Sequence, residues 1–224
     1  MPITSSFDFL GLLSPEQRSA LEARGRRKQF SPGDALIHEG LAGDVVLVLL
    51  RGVVKVTSIT DSGSEIVLGF CGPGELVGEL SVLDREPRSG NVTAIEPVEA
   101  LLVSSREFLA FLERDGAVRT MLQVLVRRFR DSDRRLVEFG ASDALGRVAS
   151  RLLELTRDYG RSSERGMEIA LPLTQDELAS WAGCSKKSLV MSLQTLRRLG
   201  CIETARRSIT VLDVEALRER AAFG

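Results

Sequence analysis

The sequence is short of the residue types on which most enzymes and metal centres are built. Among 224 residues there is one histidine, His38, and there are three cysteines, Cys71, Cys184 and Cys201, far apart in the chain. Nucleophilic catalysis needs a base within reach of a nucleophile, oriented by a third group. A single histidine in the turn-like stretch Ile37-His38-Glu39-Gly40 reads instead as a solvated surface group, neither a catalytic base nor a haem ligand. Three dispersed thiols form neither a CxxC metal pattern nor a disulfide framework. An iron–sulfur cluster asks for about four such ligands. There is no P-loop. No apolar run reaches the roughly 18 residues of a membrane span, and Met1-Pro2-Ile3-Thr4-Ser5-Ser6 lacks the basic segment and apolar stretch of a secretion signal. These absences lead to the expectation of a cytoplasmic protein that is not an enzyme, with no metal or haem and no membrane partner.

What is present is organised by charge. The formal net charge of −1 hides an asymmetry. Residues 1–115 carry 11 basic and 17 acidic side chains, residues 116–141 carry 6 and 3, and residues 142–224 carry 13 and 11. Residues 184–211 hold six basic side chains (Lys186, Lys187, Arg197, Arg198, Arg206, Arg207) against one acid, Glu203. A basic cluster on a near-neutral chain is the footprint of phosphate contacts.

The texture of the chain changes at the same places. Ser14-Pro15-Glu16-Gln17 predicts a capped short helix. From Lys28 to Val103, short β-branched runs (Val45–Leu50, Val53–Ile59, Glu65–Phe70, Asn91–Ile95, Glu99–Val103) alternate with turn signals such as Ser31-Pro32-Gly33-Asp34 and Gly72-Pro73-Gly74. That spacing predicts a β-sandwich or barrel. Ser104 then caps another short helix. Val118, Leu122, Leu125, Phe129, Ser132, Leu136 and Phe139 follow at alternating steps of four and three, a heptad seam over three repeats. The seam predicts a parallel two-fold homodimer. Ser132 is its polar exception, costing stability among Leu and Phe.

Beyond Gly140, Ser142 is expected to cap a helix to about Tyr159, with a loop over Gly160–Gly166 and a strand over Met167–Leu171. Thr174-Gln175-Asp176-Glu177 is a capping box that opens a helix ending at Trp181-Ala182-Gly183. Cys184-Ser185 makes the turn, and a second helix runs to Leu199. Leu178, Trp181, Leu189, Leu193 and Leu196 fall where the two helices bury against each other. Ser185, Lys186, Lys187, Ser188 and Met191 line the outer face, the part of a helix-turn-helix that enters the major groove. Ile202–Thr204 and Ser208–Leu212 flank Ala205-Arg206-Arg207 as a hairpin, placing Arg206 and Arg207 on a wing beside the DNA backbone. Thr174 and Gln175, at the start of the first helix, complete the DNA-contacting set.

A second constellation lies in the β-rich part. Gly78-Glu79-Leu80-Ser81-Val82 reads as a glycine turn into a short helical segment, whose backbone N–H groups near Glu79 and Leu80 suit an anion. Arg88 in Pro87-Arg88-Ser89-Gly90 supplies a planar cationic fork, and Ser89 a hydroxyl. A carboxylate and a guanidinium nine residues apart fit a cyclic nucleotide, with phosphate on Arg88 and the ribose 2′-hydroxyl on Glu79. An internal Glu79–Arg88 ion pair closing the turn fits the spacing equally well.

Taken together, barrel, long helix and winged helix resemble the cyclic-AMP receptor protein and fumarate–nitrate regulator family of bacterial transcription factors over nearly the full length. Thr174-Gln175-Asp176-Glu177-Leu178-Ala179 followed by Gly183-Cys184-Ser185 resembles the family's helix-turn-helix signature. Gly78, Glu79, Pro87, Arg88 and Ser89 match the phosphate-binding cassette of its sensor, with Gly90 in place of the usual Ala as a minor departure. The resemblance implies an α+β architecture: an N-terminal jelly-roll, cyclic-nucleotide-binding-like sensor over residues 1–115, a dimerisation helix and hinge over 116–141, and a C-terminal winged helix-turn-helix over 142–224. It implies an allosteric regulator bound to palindromic double-stranded DNA, with RNA polymerase as a protein partner. The implied effector is a cyclic nucleotide, cyclic AMP foremost and cyclic GMP the alternative, its purine meeting Ser132 and, across the dimer, Asp133. Two departures stand out. Ser132-Asp133 replaces the Thr-Ser or Thr-Asn pair of cyclic-AMP receptors. On the reading helix, Lys186, Lys187 and Met191 replace the usual Arg-Glu and Arg, so the family's usual operator does not carry over. The alternatives are a regulator of the same family with a different effector, and a constitutive DNA-binding protein with a degenerate sensor.

Overall fold

A computed structural model of the chain describes residues 7–169, 171–205 and 208–222. The chain divides into two compact units, one within residues 4–130 and the other within 131–224.

The first unit begins with helices α1 (Phe9–Leu12) and α2 (Pro15–Glu22). The predicted capping box of α2 is complete: the Ser14 hydroxyl accepts from the Gln17 N–H, and the Gln17 side chain accepts from the Ser14 N–H. Strands β1 (Arg26–Phe30), β2 (Ala35–Ile37), β3 (Val45–Arg51), β4 (Val54–Ile59), β5 (Glu65–Cys71) and β6 (Leu76–Val77) follow, then helix α3 (Leu80–Leu83), strands β7 (Asn91–Ala94) and β8 (Val98–Ser104), and helix α4 (Ser105–Arg114). The strands form two antiparallel sheets, ordered β1-β8-β3-β6 and β2-β7-β4-β5. This is the sandwich expected from the spacing of the runs, in the jelly-roll form that the family resemblance implies.

The run Val45–Leu50 is apolar without alternation because both faces of β3 are covered. Leu47 and Leu49 point between the sheets, where they meet Phe30, Val54, Val77, Val92, Val98 and Ala100. Val46 and Val48 point the other way, onto Phe9, Phe108, Phe111 and the start of the next helix. Strands β1, β2 and β6 fall outside the predicted runs. Arg26–Phe30 buries only its last residue, and β2 and β6 are three and two residues long, too short to show a period.

Helix α5 (Val118–Ala141) spans 24 residues, roughly 36 Å at 1.5 Å per residue. Its N-terminal half has two apolar faces. Met121 and Val124, with Ala117 just before the helix, are buried in the core of the first unit. Val118, Leu122, Val126 and Phe129 are exposed, as are Leu136 and Phe139 further along. The stripe predicted from sequence is therefore uncovered within a single chain except at Leu125, which packs half-buried against the core of the first unit.

The second unit continues with helix α6 (Ala144–Tyr159), strands β9 (Gly160–Ser163) and β10 (Gly166–Ile169), helices α7 (Gln175–Trp181) and α8 (Lys186–Arg198), strands β11 (Ile202–Ala205) and β12 (Ser208–Val211), and helix α9 (Val214–Ala222). The sheet is antiparallel, in the order β11-β12-β10-β9. Leu152, Leu155, Leu178, Leu189, Leu196, Ile202 and Val211 are buried at its core. Two expectations are corrected. Asp143, not Ser142, caps α6, its carboxylate accepting from the Gly146 N–H at 2.8 Å. The stretch predicted as a loop, Gly160–Gly166, contains strand β9, whose Gly-Arg-Ser-Ser sequence leaves three of four residues exposed and so carries no apolar signature. Helix α9 was not foreseen; Leu217 is its one buried anchor. Arg206 and Arg207 lie outside the described residues.

Candidate functional site

In the first unit, a cavity of about 110 Å³ opens beside the turn between β6 and α3. Apolar walls come from Ile37, Val56, Leu76 and Val92, and polar edges from Glu79, Ser81, Arg88 and Arg128. Gly78 makes the turn possible. Its φ is +83°, and a Cβ there would stand 2.5 Å from Arg88 Nη1 and 2.7 Å from Ile37 Cδ1. Only glycine satisfies both the left-handed backbone and the close approach of the guanidinium.

Arg88 is 6% exposed. Its Nη1 donates to the Gly78 carbonyl at 2.5 Å and to Ser81 Oγ at 2.9 Å, and its Nη2 donates to the Val45 carbonyl at 2.6 Å. The nearest carboxylate to its fork is that of the exposed Asp44, 3.9 Å from Nη2. Burial lowers the guanidinium's pKa from its ordinary value, opposed by Asp44 and Glu79. Three of the five guanidinium N–H donors are spent on positioning the group, which leaves two for an incoming anion. Leu80 and Ser89 are exposed at the cavity edge. Gly90 replaces the family's Ala for a local reason, since a Cβ would come within 2.7 Å of the Thr57 carbonyl oxygen on β4.

The Glu79–Arg88 ion pair that spacing permits does not form. Glu79, 1% exposed, pairs instead with Arg128 of α5. Arg128 also donates to the Leu76 carbonyl at 2.7 Å and stands 3.7 Å from Glu75. Burial pulls the Arg128 pKa down, but Glu79, Cys71 and Glu75 outweigh it and the net shift is upward. The second carboxylate oxygen of Glu79 is buried with no hydrogen-bond partner. A buried acceptor left open is costly and is the kind of group that a ligand hydroxyl completes. Burial likewise raises the Cys71 thiol, beyond the range in which it ionises. Arg128 and Ser81 were missed by sequence reasoning. The available signal for Arg128 was its position four residues before Ser132, on the same face of one helix. Ser132 and Asp133 are exposed on α5.

In the second unit, α7 and α8 form the predicted helix-turn-helix. The Thr174 hydroxyl accepts from the Glu177 N–H at 3.1 Å, and the Glu177 carboxylate accepts from the Thr174 N–H at 2.8 Å. Gly183 makes the turn at φ +60°, and a Cβ there would stand 2.9 Å from the Phe139 ring. Ser185 caps α8, accepting from the Ser188 N–H at 3.1 Å, and the two serine hydroxyls lie 2.9 Å apart. Gln175, Lys186, Lys187 and Met191 are exposed, Met191 to 59%. Lys186 is held at 2.9 Å by Asp176, a pair with both side chains in solvent. Leu178, Leu189, Leu193 and Leu196 are buried as expected. Trp181 is only half-buried, and its ring takes the guanidinium groups of Arg135 and Arg151 at 5.6 and 5.5 Å.

The first unit is thus a sandwich with a buried Arg–Glu cavity, and the second carries a winged helix-turn-helix. The sequence profile of the cyclic nucleotide-binding domain matches residues 27–115, and that of the Crp-like helix-turn-helix domain matches residues 146–220. The chain is 30% identical over 213 residues to the cyclic AMP receptor protein of Thermus thermophilus, covering 95% of both chains. It is 29% identical over 215 residues to the CRP-like cAMP-activated global transcriptional regulator of Mycobacterium tuberculosis, covering 94% of this chain and 96% of that one. The crystal structure of the Thermus thermophilus catabolite activator protein superposes with a TM-score of 0.54 at 27% identity, covering 97% of this chain and all of that one. The chain belongs to the cyclic-AMP receptor protein and fumarate–nitrate regulator family, whose members are DNA-binding transcription regulators and not enzymes. Among the described residues, no helix is long and apolar enough to cross a membrane, and no cluster of His, Cys, Asp and Glu could hold a metal ion.

Proposed function

We propose that the protein is a homodimeric regulator of transcription whose affinity for a palindromic DNA site is set by a cyclic nucleotide, cyclic AMP before cyclic GMP, in the sensor cavity. The observation that carries this reading is the pairing of a buried Arg88 having donors to spare with a buried Glu79 having an open acceptor oxygen, either side of one small cavity. Arg88 and Ser89 take the phosphate, with the backbone at Leu80 beside it. Glu79 takes the ribose 2′-hydroxyl, and its pairing with Arg128 orients it. Ser132 and Asp133 are assigned to the purine by resemblance; a hydroxyl that donates or accepts suits either base. The cAMP-activated relatives favour cyclic AMP.

Two copies of α5 meeting along Val118, Leu122, Phe129, Leu136 and Phe139 would cover a stripe too large to be left in water. Two-fold symmetry then presents two α8 helices to half-sites one DNA turn apart. Lys186, Lys187 and Met191 face the bases, and Thr174, Gln175, Ser185 and Ser188 the backbone. The place of action is the cytoplasm, at promoters engaged by RNA polymerase. Ligand acts by population shift, binding one arrangement of the dimer better than another.

Calorimetry with cyclic AMP and cyclic GMP tests the sensor half. One of the two binds the wild type, and Arg88→Ala loses it. If neither binds a folded wild type, the sensor serves another effector or none. Selection from random duplexes tests the DNA half, and a monomeric, non-palindromic site contradicts it.

A further inference from the structure

Most of the family's working parts are accounted for above, but one cluster in the second unit is not. The last part of α5, residues 131–141, is bolted to α6 and to the helix-turn-helix at two points. At the first, Arg135 pairs with Asp131 at 2.9 Å and with Glu154 at 3.1 Å. Arg151, 3% exposed, pairs with Glu154 at 2.6 Å and with Glu138. Both guanidinium groups stand against the ring of Trp181, the last residue of α7 and the only tryptophan in the chain. At the second, Arg147 of α6 donates to the carbonyls of Ser142 (2.5 Å), Ala182 (2.9 Å) and Gly183 (3.1 Å). Its guanidinium lies 5.1 Å from the Phe139 ring, which closes against Gly183.

Both points tie the end of α5 to the helix-turn-helix. The backbone link is short: α5 ends at Ala141 and α6 starts at Ala144. Three arginines, Arg135 of α5 and Arg147 and Arg151 of α6, are each committed to two or more partners. Such a network is a poor source of net stability, because burying ion pairs costs desolvation. What it supplies is a single geometry: a guanidinium is a rigid fork, and stacking on a ring fixes its plane.

We infer that Trp181, gripped by Arg135 and Arg151, is a positioning residue that registers the helix-turn-helix against the dimerisation helix, so that the protein measures the spacing between DNA half-sites. Trp181 touches no base in this scheme; it acts through the orientation of α7 and hence of α8. The inference rests on the dimeric, palindrome-binding reading proposed above.

The test uses full-length protein, saturating cyclic nucleotide and three duplexes: the palindrome selected by the wild type, and the same half-sites moved one base pair closer and one base pair further apart. One base pair turns a half-site by roughly a tenth of a helical turn, so a rigid reader is expected to lose at least about ten-fold in affinity on the shifted sites. Trp181→Leu, and separately Arg135→Gln, should flatten that ratio to about three-fold or less, while Trp181→Phe, which keeps an aromatic face, retains most of it. Cyclic-nucleotide affinity should be the same in all four proteins. A general loss of stability lowers binding to all three duplexes alike and does not change their ratio. If Trp181→Leu fails to fold, the Arg135→Gln ratio decides, and its indole emission spectrum, read from the single tryptophan, should differ from that of the wild type. Folded variants that keep the wild-type ratio overturn the inference. A wild type that selects no palindrome contradicts instead the DNA-binding reading beneath it.

Discussion

Replacing Arg88 isolates the charge that the sensor is built around. Three guanidinium donors are occupied by the Gly78 carbonyl, Ser81 Oγ and the Val45 carbonyl, which leaves two for a phosphate. A hydrogen bond to a charged group contributes about 1.5–3 kcal/mol. Two of them amount to about 3–6 kcal/mol, or roughly 10²- to 10⁴-fold in Kd. Arg88→Ala should therefore abolish cyclic-nucleotide binding at ordinary calorimetric concentrations. It also strips a partner from two half-buried carbonyls, those of Gly78 and Val45, so the melting temperature should fall by several degrees. Arg88→Lys separates the two effects: it keeps the charge, cannot span both contacts, and should lose at least ten-fold in affinity. The uncharged nucleoside, adenosine or guanosine, provides the internal control, because a variant lacking only the phosphate contact binds it as the wild type does. A folded Arg88→Lys or Arg88→Ala protein within three-fold of wild-type affinity for the cyclic nucleotide would refute the assignment of Arg88 to the phosphate.

Other expectations follow from the same geometry. Glu79→Gln keeps the size of the side chain but loses the charge that Arg128 orients. It should weaken cyclic AMP by about ten-fold or more and leave 2′-deoxy cyclic AMP unchanged, as competition binding would reveal. Leu136 is 73% exposed on α5. Burying it in a dimer seam is worth about 1.5–2 kcal/mol per copy, so Leu136→Asp should raise the dimer Kd by roughly 10²- to 10³-fold, measured by sedimentation over a concentration series; an unchanged dimer removes α5 as the interface. Lys187→Glu exchanges a donor for an acceptor on the reading face and should change the preferred base at one position per half-site, since Glu accepts from cytosine N4. Gly183→Ala forces a side chain into a left-handed backbone, a cost of about 1–2 kcal/mol, and against the Phe139 ring 2.9 Å away. It should lower the melting temperature by a few degrees; an unchanged value would mean that the turn relaxes freely.

The parts of the fold that were legible in the sequence are those where period and burial agree. The α5 stripe, the Ser14 and Thr174 capping boxes and the core of the helix-turn-helix follow from spacing because each repeats a local rule. Strand β9, strand β1 and helix α9 were obscure because they bury one residue each, and an element that buries so little has no pattern to display. In the sensor, residue types and spacing brought Glu79 and Arg88 together and left two readings open, a divided ligand site or an ion pair between them; the structure has both lining one cavity and no such pair. Sheet topology instead aims Arg88 at backbone carbonyls and brings Arg128, 49 residues beyond Glu79, to the carboxylate. That partner is set by how α5 lies on the β6–α3 turn, which is tertiary information. Trp181 was misread for a related reason. Its spacing places it with the buried leucines, yet it is held at the edge by two arginines whose own positions, in α5 and α6, give no local signal.

The central claim, that effector occupancy in the sensor controls DNA affinity, is met most directly by fluorescence anisotropy of a labelled duplex carrying the selected palindrome, titrated with protein with and without cyclic AMP and cyclic GMP. The account predicts that one of the two nucleotides tightens binding by at least ten-fold in the wild type and by nothing in a folded Arg88 variant. Equal affinity with and without both nucleotides, or the same tightening in wild type and variant, would contradict it.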